Sequence, residues 1–221
     1  MFRKMTEEQK QKMQMIITNI VRTLLILIVV RGFLTGDHSQ DFIAILTLFM
    51  TYYPSILEKR FGVYLPVGMQ ITITLFIFAA QYLGEIKAFY DLIPWWDTIL
   101  HSTSGVILGI IGFMFVYLLN KQHGKRVKLS PIMVVWFAFC FAITIGVFWE
   151  FFEYTMDRVF GLNMQKFRMP GQDGLVDTMG DLFVDAVGAF VASIGGWIYI
   201  KKKNDVIFSK YFASWFRKKK K

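Results

Sequence analysis

Carboxylates recur at helical spacing in three stretches of an otherwise apolar chain. WWDTILHSTSG sets Asp97 one turn before His101, WEFFEYTMD carries Glu150, Glu153 and Asp157, and GLVDTMGDLFVDAVGA carries Asp177, Asp181 and Asp185. One imidazole with several carboxylates is a donor set for a divalent metal ion, with Mg²⁺, Mn²⁺ or Ca²⁺ favoured by the oxygens and Zn²⁺ admitted by the histidine. All eight of these side chains are candidate ligands, and His101, Glu150, Glu153 and Asp181 are the candidate catalytic groups. Two other readings use the same residues. The acids could titrate in a proton or cation path, or pair with Arg31, Arg158 and Arg168 while others cap helix ends in water. The chain has no HExxH, CxxC or Walker loop and no evident Ser-His-Asp arrangement, although Ser102 and Ser104 lie near His101. Its single cysteine, Cys140, excludes an intrachain disulfide and any multi-cysteine metal site. Cys140 reads as a small core residue inside a helix.

A carboxylate near hydrocarbon costs several kcal/mol, on the order of 3 at a helix centre, unless it is paired, hydrated or neutralised, so the elements carrying these acids matter. The chain has 221 residues, 55% of them hydrophobic and 17% aromatic, with 23 Phe and a mean hydropathy of +0.45. The apolar residues come in long blocks, without alternation, which predicts an all-α polytopic membrane helical bundle. Six transmembrane helices are expected, over Met15–Leu34, Asp41–Ile56, Tyr64–Gly84, Thr98–Leu119, Pro131–Tyr154 and Leu175–Ile200, the second being the shortest. They form one integral membrane domain over 1–221, with no cleavable signal, no repeats and no low-complexity linkers.

Basic residues orient the spans. With six crossings, only Arg22, Arg31, Lys87, Arg158, Lys166 and Arg168 of the 25 Lys and Arg fall away from one side, so both termini are expected in the cytoplasm. The net charge of +9 then serves topology and gives no reason to expect nucleic acid. Residues 1–14 form a cytoplasmic N-terminal segment. The tail 204–221 places Ile207, Phe208, Tyr211, Phe212, Trp215 and Phe216 at helical spacing ahead of a basic end. It reads as an amphipathic helix on anionic inner-leaflet lipid, or else as a solubilising basic end. The expected partners are membrane lipids and the expected location is a bacterial plasma membrane.

Counting about twenty residues, one membrane thickness, from each basic flag lands on polar groups at one depth. Lys121 leads back to His101, Lys201 to Asp181, Pro131 on to Glu150, Lys12 to Arg31 and Arg60 to Gln81. The acids on each span also share a helix face. A polar chamber open to the outer side is therefore expected, with Asp177 hydrated at its mouth. Gly105 and Gly109, and on the sixth span Gly188, Gly195 and Gly196, would let those helices pack closely. The loop GLNMQKFRMPGQDG lies over the chamber. Its Gln165 and Arg168, with Arg31 and Gln81 from the spans, are the candidate substrate-binding groups, Arg168 being suited to phosphate or carboxylate. Trp95 and Trp96 read as an interfacial belt.

WWDTILHSTSG, WEFFEYTMD and GLVDTMGDLFVDAVGA, in that order and with LTLFMTYYPSILEKRFGVYLP before them, resemble the YjdF-like family of uncharacterised bacterial multi-pass membrane proteins. There is a fainter similarity to VanZ-like proteins, which also set an acid and a His at the head of one helix and acids on later ones. Here Glu153 stands where that pattern has Gln, and Asp185 near where it has Asn. The resemblance implies the fold and the site residues, and no particular activity. Three functions fit the residues. The first is a metal-dependent hydrolase or transferase on a lipid-linked or amphiphilic substrate. The others are a non-catalytic lipid- or ligand-binding envelope protein and a small cation- or proton-coupled transporter.

Overall fold

The computed structural model describes residues 5–61, 65–122, 129–166, 174–206 and 208, and every element among them is helical. In chain order these are α1 (Glu7–Thr35), α2 (Asp41–Met50), α3 (Tyr53–Phe61), α4 (Val67–Ile77) with a π-helical continuation Phe78–Ile86, α5 (Phe89–Leu92), α6 (Trp96–Gln122), α7 (Pro131–Phe160) and α8 (Gly174–Lys203). Five segments are long and apolar enough to cross a membrane: Glu8–Thr35, Val67–Ile86, Trp96–Leu119, Pro131–Phe160 and Gly174–Lys203. The expected span Asp41–Ile56 is instead two short helices broken at Thr51–Tyr52. The described residues fall into two compact units that part between Pro94 and Trp95.

In the first unit, α1 starts on a capping box. The Thr6 hydroxyl accepts from Gln9 N and the Gln9 side chain accepts from Thr6 N. Its core is Val21, Leu25, Ala44 and Ile86. Gln40, just before α2, donates through Nε2 to Ile86 O at 3.3 Å, so the start of α2 lies at the end of the π-helical segment. Arg22 of α1 donates to Thr51, so the far end of α2 lies partway back along α1. Glu58 of α3 accepts from Leu65 N and from Gln70 Nε2 at the start of α4. Together α2 and α3 thus carry the chain back along α1, and α4 sets out again parallel to it.

In the second unit α6, α7 and α8 pack pairwise. Ser130 caps α7 by accepting from Met133 N, and Pro131 takes a first-turn position where its missing N–H is no loss. Gly161 ends α7 at φ +65°, a left-handed conformation that costs other residues about 1 kcal/mol. Each helix buries one stripe repeating every three or four residues. On α7 it is Val134, Ala138, Ala142, Gly146, Glu150 and Glu153, small at one end and acidic at the other. On α8 it runs from Asp177, Asp181 and Asp185 down to Gly188, Ala189, Ser193 and Gly196.

Small residues make this packing possible. A Cβ on Gly105 would strike the Asp185 carbonyl, one on Gly188 the Ser102 carbonyl, one on Gly109 the Ala192 methyl and one on Gly112 the backbone of Ala138. Gly196 makes room for the Phe113 ring, whereas a Cβ on Gly195 would meet nothing within 4 Å among the described residues. Ascending contacts from Gly105 to Phe113 make α6 and α8 parallel, and the pairing of Gly112 with Ala138 below His101 and Glu150 makes α7 antiparallel to both.

The outer faces carry Phe148, Phe151, Phe183 and Phe190, all more than half exposed, as expected of surfaces against lipid. Cys140 is also exposed, contrary to a core role: it points away from the Ala138–Ala142 stripe. At the end of α8, Phe208 stacks on Tyr199 and leans on Phe113. Ile207 and residues 209–221 of the expected amphipathic tail lie outside the described residues.

Candidate metal centre

His101 is the hub of the acidic end. Its Nε2 lies 3.6 Å from Asp97 Oδ1, 3.9 Å from Asp181 Oδ2 and 4.0 Å from Glu150 Oε1, while Nδ1 lies 3.3 Å from Asp185 Oδ2. All five side chains are less than a tenth exposed. Asp97 and His101 come from the first turns of α6, Glu150 from late α7, and Asp181 and Asp185 from early α8. The antiparallel run of α7 brings its last third beside the first thirds of the other two.

Asp97, His101 and Asp181 each offer a donor atom within 4.8 Å of the others, the spread a single ion can bridge. Glu150 adjoins them with neither carboxylate oxygen hydrogen-bonded, and Asp181 Oδ2 also has no hydrogen-bond partner. The Thr178 hydroxyl is a hydrogen-bond donor beside Glu150, although it forms no well-directed bond to either oxygen. His101 stands within ion-pair distance of Asp97, Glu150, Asp181 and Asp185 alike. The imidazolium carries a single positive charge, and the Glu150 oxygens and Asp181 Oδ2, buried with no hydrogen bond, are placed to face a further cation.

Asp185 has a different position. It approaches the other ring nitrogen, and its Oδ1 lies 2.5 Å from the Ser104 hydroxyl, which also lies 2.7 Å from the His101 carbonyl oxygen. A hydroxyl has one proton for these two acceptors, so Ser104 ties Asp185 to the α6 backbone. Gly146 leaves the space: a Cβ there would press on Asp185 Oδ2. With Nδ1 held by Asp185, the imidazole turns Nε2 towards Asp97, Asp181 and Glu150, the orientation that metal-bound histidines take.

The other expected site residues have other partners. Glu153 is buried and accepts from Trp149 Nε1 at 2.8 Å. Asp157 uses both oxygens on the loop after α7, accepting from Met164 N at 2.6 Å and Gln165 N at 2.9 Å. Asp177 is only 8% exposed and accepts from Lys166 N at 3.0 Å. The hydrated position expected for Asp177 is therefore corrected, because the loop folds back over it. Gln165 is buried, donating to Thr178 Oγ1 at 2.9 Å and lying 3.4 Å from Gly174 O.

Arg31 pairs with Asp37 at 2.9 Å on the surface of the first unit. There the Ser39 hydroxyl above all, with the Arg31 charge adding to it, holds the Asp37 carboxyl below its usual range. Gln81 is buried in the π-helical segment with Oε1 unpartnered. Arg168 lies outside the described residues. Ser104, Trp149 and Gly146 were missed as parts of the site. Ser104 is one turn from His101 and Trp149 one turn from Glu153, a spacing visible in the sequence. Gly146 could be found only once α7 and α8 were paired.

An uncharacterised protein of Thermotoga maritima is 28% identical over 152 residues, which is 68% of this chain and 72% of that one. No solved structure matches the chain. Residues 16–202, which reach into all five long apolar helices and include the whole His101 cluster, match the family described as Predicted membrane protein (DUF2238), and the chain belongs to that family.

Proposed function

We propose that the acidic end of α6, α7 and α8 is a divalent-metal site and that the protein is a metal-dependent hydrolase or transferase acting on a lipid-linked or amphiphilic substrate. The observation that carries this reading is Glu150. It is 2% exposed, has no hydrogen bond to either oxygen, and lies beside the Asp97–His101–Asp181 group. A buried carboxylate without well-directed donors is favoured when it is protonated or faces a cation. Asp97, Asp181, Glu150 and His101 Nε2 would be the ligands, with Asp185 and Ser104 holding the ring. A bound ion there supplies Lewis acidity and a more acidic water. Glu153, held at one oxygen by Trp149, leaves the other to take a proton.

A transport path through these helices is disfavoured by what lies under the site. Gly105, Gly112 and Gly188 bring the backbones into contact there, and no titratable side chain among the described residues continues the buried α7 and α8 stripes between Asp185 and Gly196. The test is turnover. Protein in lipid nanodiscs, freed of metal and given Mg²⁺, Mn²⁺, Ca²⁺ or Zn²⁺, should cleave one class among amphiphilic phosphomonoesters, pyrophosphates and carboxyl esters, and Glu150→Gln should not. Ion binding without release from any class would favour the non-catalytic lipid- or ligand-binding reading.

The proposed setting is a bacterial plasma membrane crossed six times, with the site towards the outer face and both termini inside. Five long helices alone would put the termini on opposite sides. In this reading the return of α2 and α3 along α1 would be the further crossing, which would set Lys59 and Arg60 at its end on the side of Lys10 and Lys12. In a Cys140→Ser background, Asn163→Cys should react with an impermeant thiol reagent on intact cells, and Met5→Cys only after permeabilisation. Both positions are exposed. The reverse pattern would overturn the topology.

A further inference from the structure

A cavity of ≈ 200 Å³ lies in the first unit between α1, the α2–α3 break and α4. Its walls are mostly polar although the helices around it are largely apolar: Thr18, Asn19 and Arg22 come from α1, Thr51 from the break, Ser55 from the first turn of α3, and Thr74 from α4. Gln14, Thr18 and Arg22 follow one stripe of α1, so the cavity runs about 12 Å along that helix, from its basic end towards its middle. An arginine midway along a candidate span is costly, and such residues face protein interiors or water-filled cavities that have a use for them.

Arg22 is only partly used by its neighbours. Of the five N–H groups on a guanidinium, Nε donates to Thr51 Oγ1 at 3.0 Å and one Nη2 hydrogen to Thr51 O at 3.1 Å. The planar group stacks 3.7 Å from the centre of the Tyr52 ring, which fixes its fork. Among the described residues no carboxylate lies within ion-pair distance of it. Glu58 is the nearby acid whose partners are seen, and its Oε1 is held by Leu65 N and Gln70 Nε2. Among the described residues Arg22 therefore has no carboxylate partner in this polar cavity, and it keeps N–H groups to spare with hydroxyls opposite.

We infer that this cavity is a second binding site, one that takes a phosphate-type oxyanion on the Arg22 guanidinium. The Nη1/Nη2 edge of the guanidinium keeps one parallel N–H pair for two oxygens of one anion, and the volume suits a phosphate group better than a whole amphiphile. The phosphate could belong to a membrane lipid reaching in from the basic end of α1 or to free inorganic phosphate. The site is independent of the His101 cluster and of the function proposed for it.

The competing account gives Arg22 a purely structural role at the helix break, where it serves the Thr51 carbonyl. Thermal unfolding separates the two. Detergent-solubilised protein, with chelator present throughout, is melted in inorganic phosphate or in chloride at equal ionic strength. A second pair of melts uses short-chain phosphatidylglycerol or a matching phosphate-free glycolipid. Wild type should be stabilised by the phosphate-bearing member of at least one pair. Stabilisation by inorganic phosphate identifies a free oxyanion, and stabilisation by the phospholipid alone identifies a lipid headgroup. Arg22→Gln should weaken that binding at least about tenfold, the loss expected for a charge-assisted fork, and Arg22→Lys should weaken it less. Ser55→Leu, at the exposed rim, should block binding while leaving the Arg22–Thr51 bonds and the melt in chloride unchanged. No phosphate-dependent shift in wild type, or a shift unchanged in Arg22→Gln and Ser55→Leu, would overturn the inference.

Discussion

Asp181→Asn is expected to lower the melting temperature of the ion-loaded protein by about 5–10 °C and to leave the chelated protein at least as stable as wild type. The first part follows from linkage. An ion at about 100 times its dissociation constant adds roughly 2.7 kcal/mol, and for a chain of this length 1 kcal/mol moves the melting temperature by about 2–4 °C. The second part follows from repulsion. Asp181 and Asp97 offer oxygens within 4.8 Å of each other. Two like charges at that distance cost on the order of 3 kcal/mol at an effective dielectric of about 20, wherever both are ionised. Removing one charge relieves this once the ion is gone. The two melting curves should therefore change order when chelator is added. An equal loss with and without chelator would mean that Asp181 makes an ordinary structural contact.

Gly105→Ala is expected to destabilise the chelated protein by about 3 kcal/mol or more, and Gly195→Ala to be neutral or stabilising by up to about 1 kcal/mol. Both replace a helical glycine with the best helix former, so propensity favours each equally. They differ in what the new methyl meets. At Gly105 it would run into the Asp185 carbonyl and the Ala189 N of α8, backbone atoms that cannot turn aside. At Gly195 it meets nothing within 4 Å. Unfolding measured by heat or denaturant in the same detergent decides it. Similar melts for the two variants would show that close approach of α6 and α8 does not hold this unit together.

The acidic end was legible because each helix writes its buried face as a period. Asp97, His101, Gly105 and Gly109 step by four, as do Asp177, Asp181 and Asp185, and counting one membrane thickness from the basic flags put His101, Glu150 and Asp181 at one level before any packing was known. The break at Thr51–Tyr52 was harder to see because the run across it stays apolar, although Pro54 marked a place where a continuous helix would lose a hydrogen bond. The π-helical segment Phe78–Ile86 left no mark in hydropathy, which does not separate fourth from fifth neighbours. Asp157 and Asp177 share the face of the site acids, so periodicity could not distinguish them. What separates them is the loop, whose backbone N–H groups at Met164, Gln165 and Lys166 take their oxygens. Cys140 was placed by a rule for water-soluble cores, and against lipid the apolar residues belong outside.

The most direct measurement is the metal content of the purified protein after equilibrium dialysis against Mg²⁺, Mn²⁺, Ca²⁺ and Zn²⁺ in turn, read by elemental analysis. About one tightly held ion per chain is expected for at least one of these metals. That ion should be lost in Asp97→Asn, His101→Ala and Asp181→Asn, and kept in Asp157→Asn, whose carboxylate holds the loop. No ion above background with any of the four metals, or the same content in the three site variants as in wild type, would contradict that expectation.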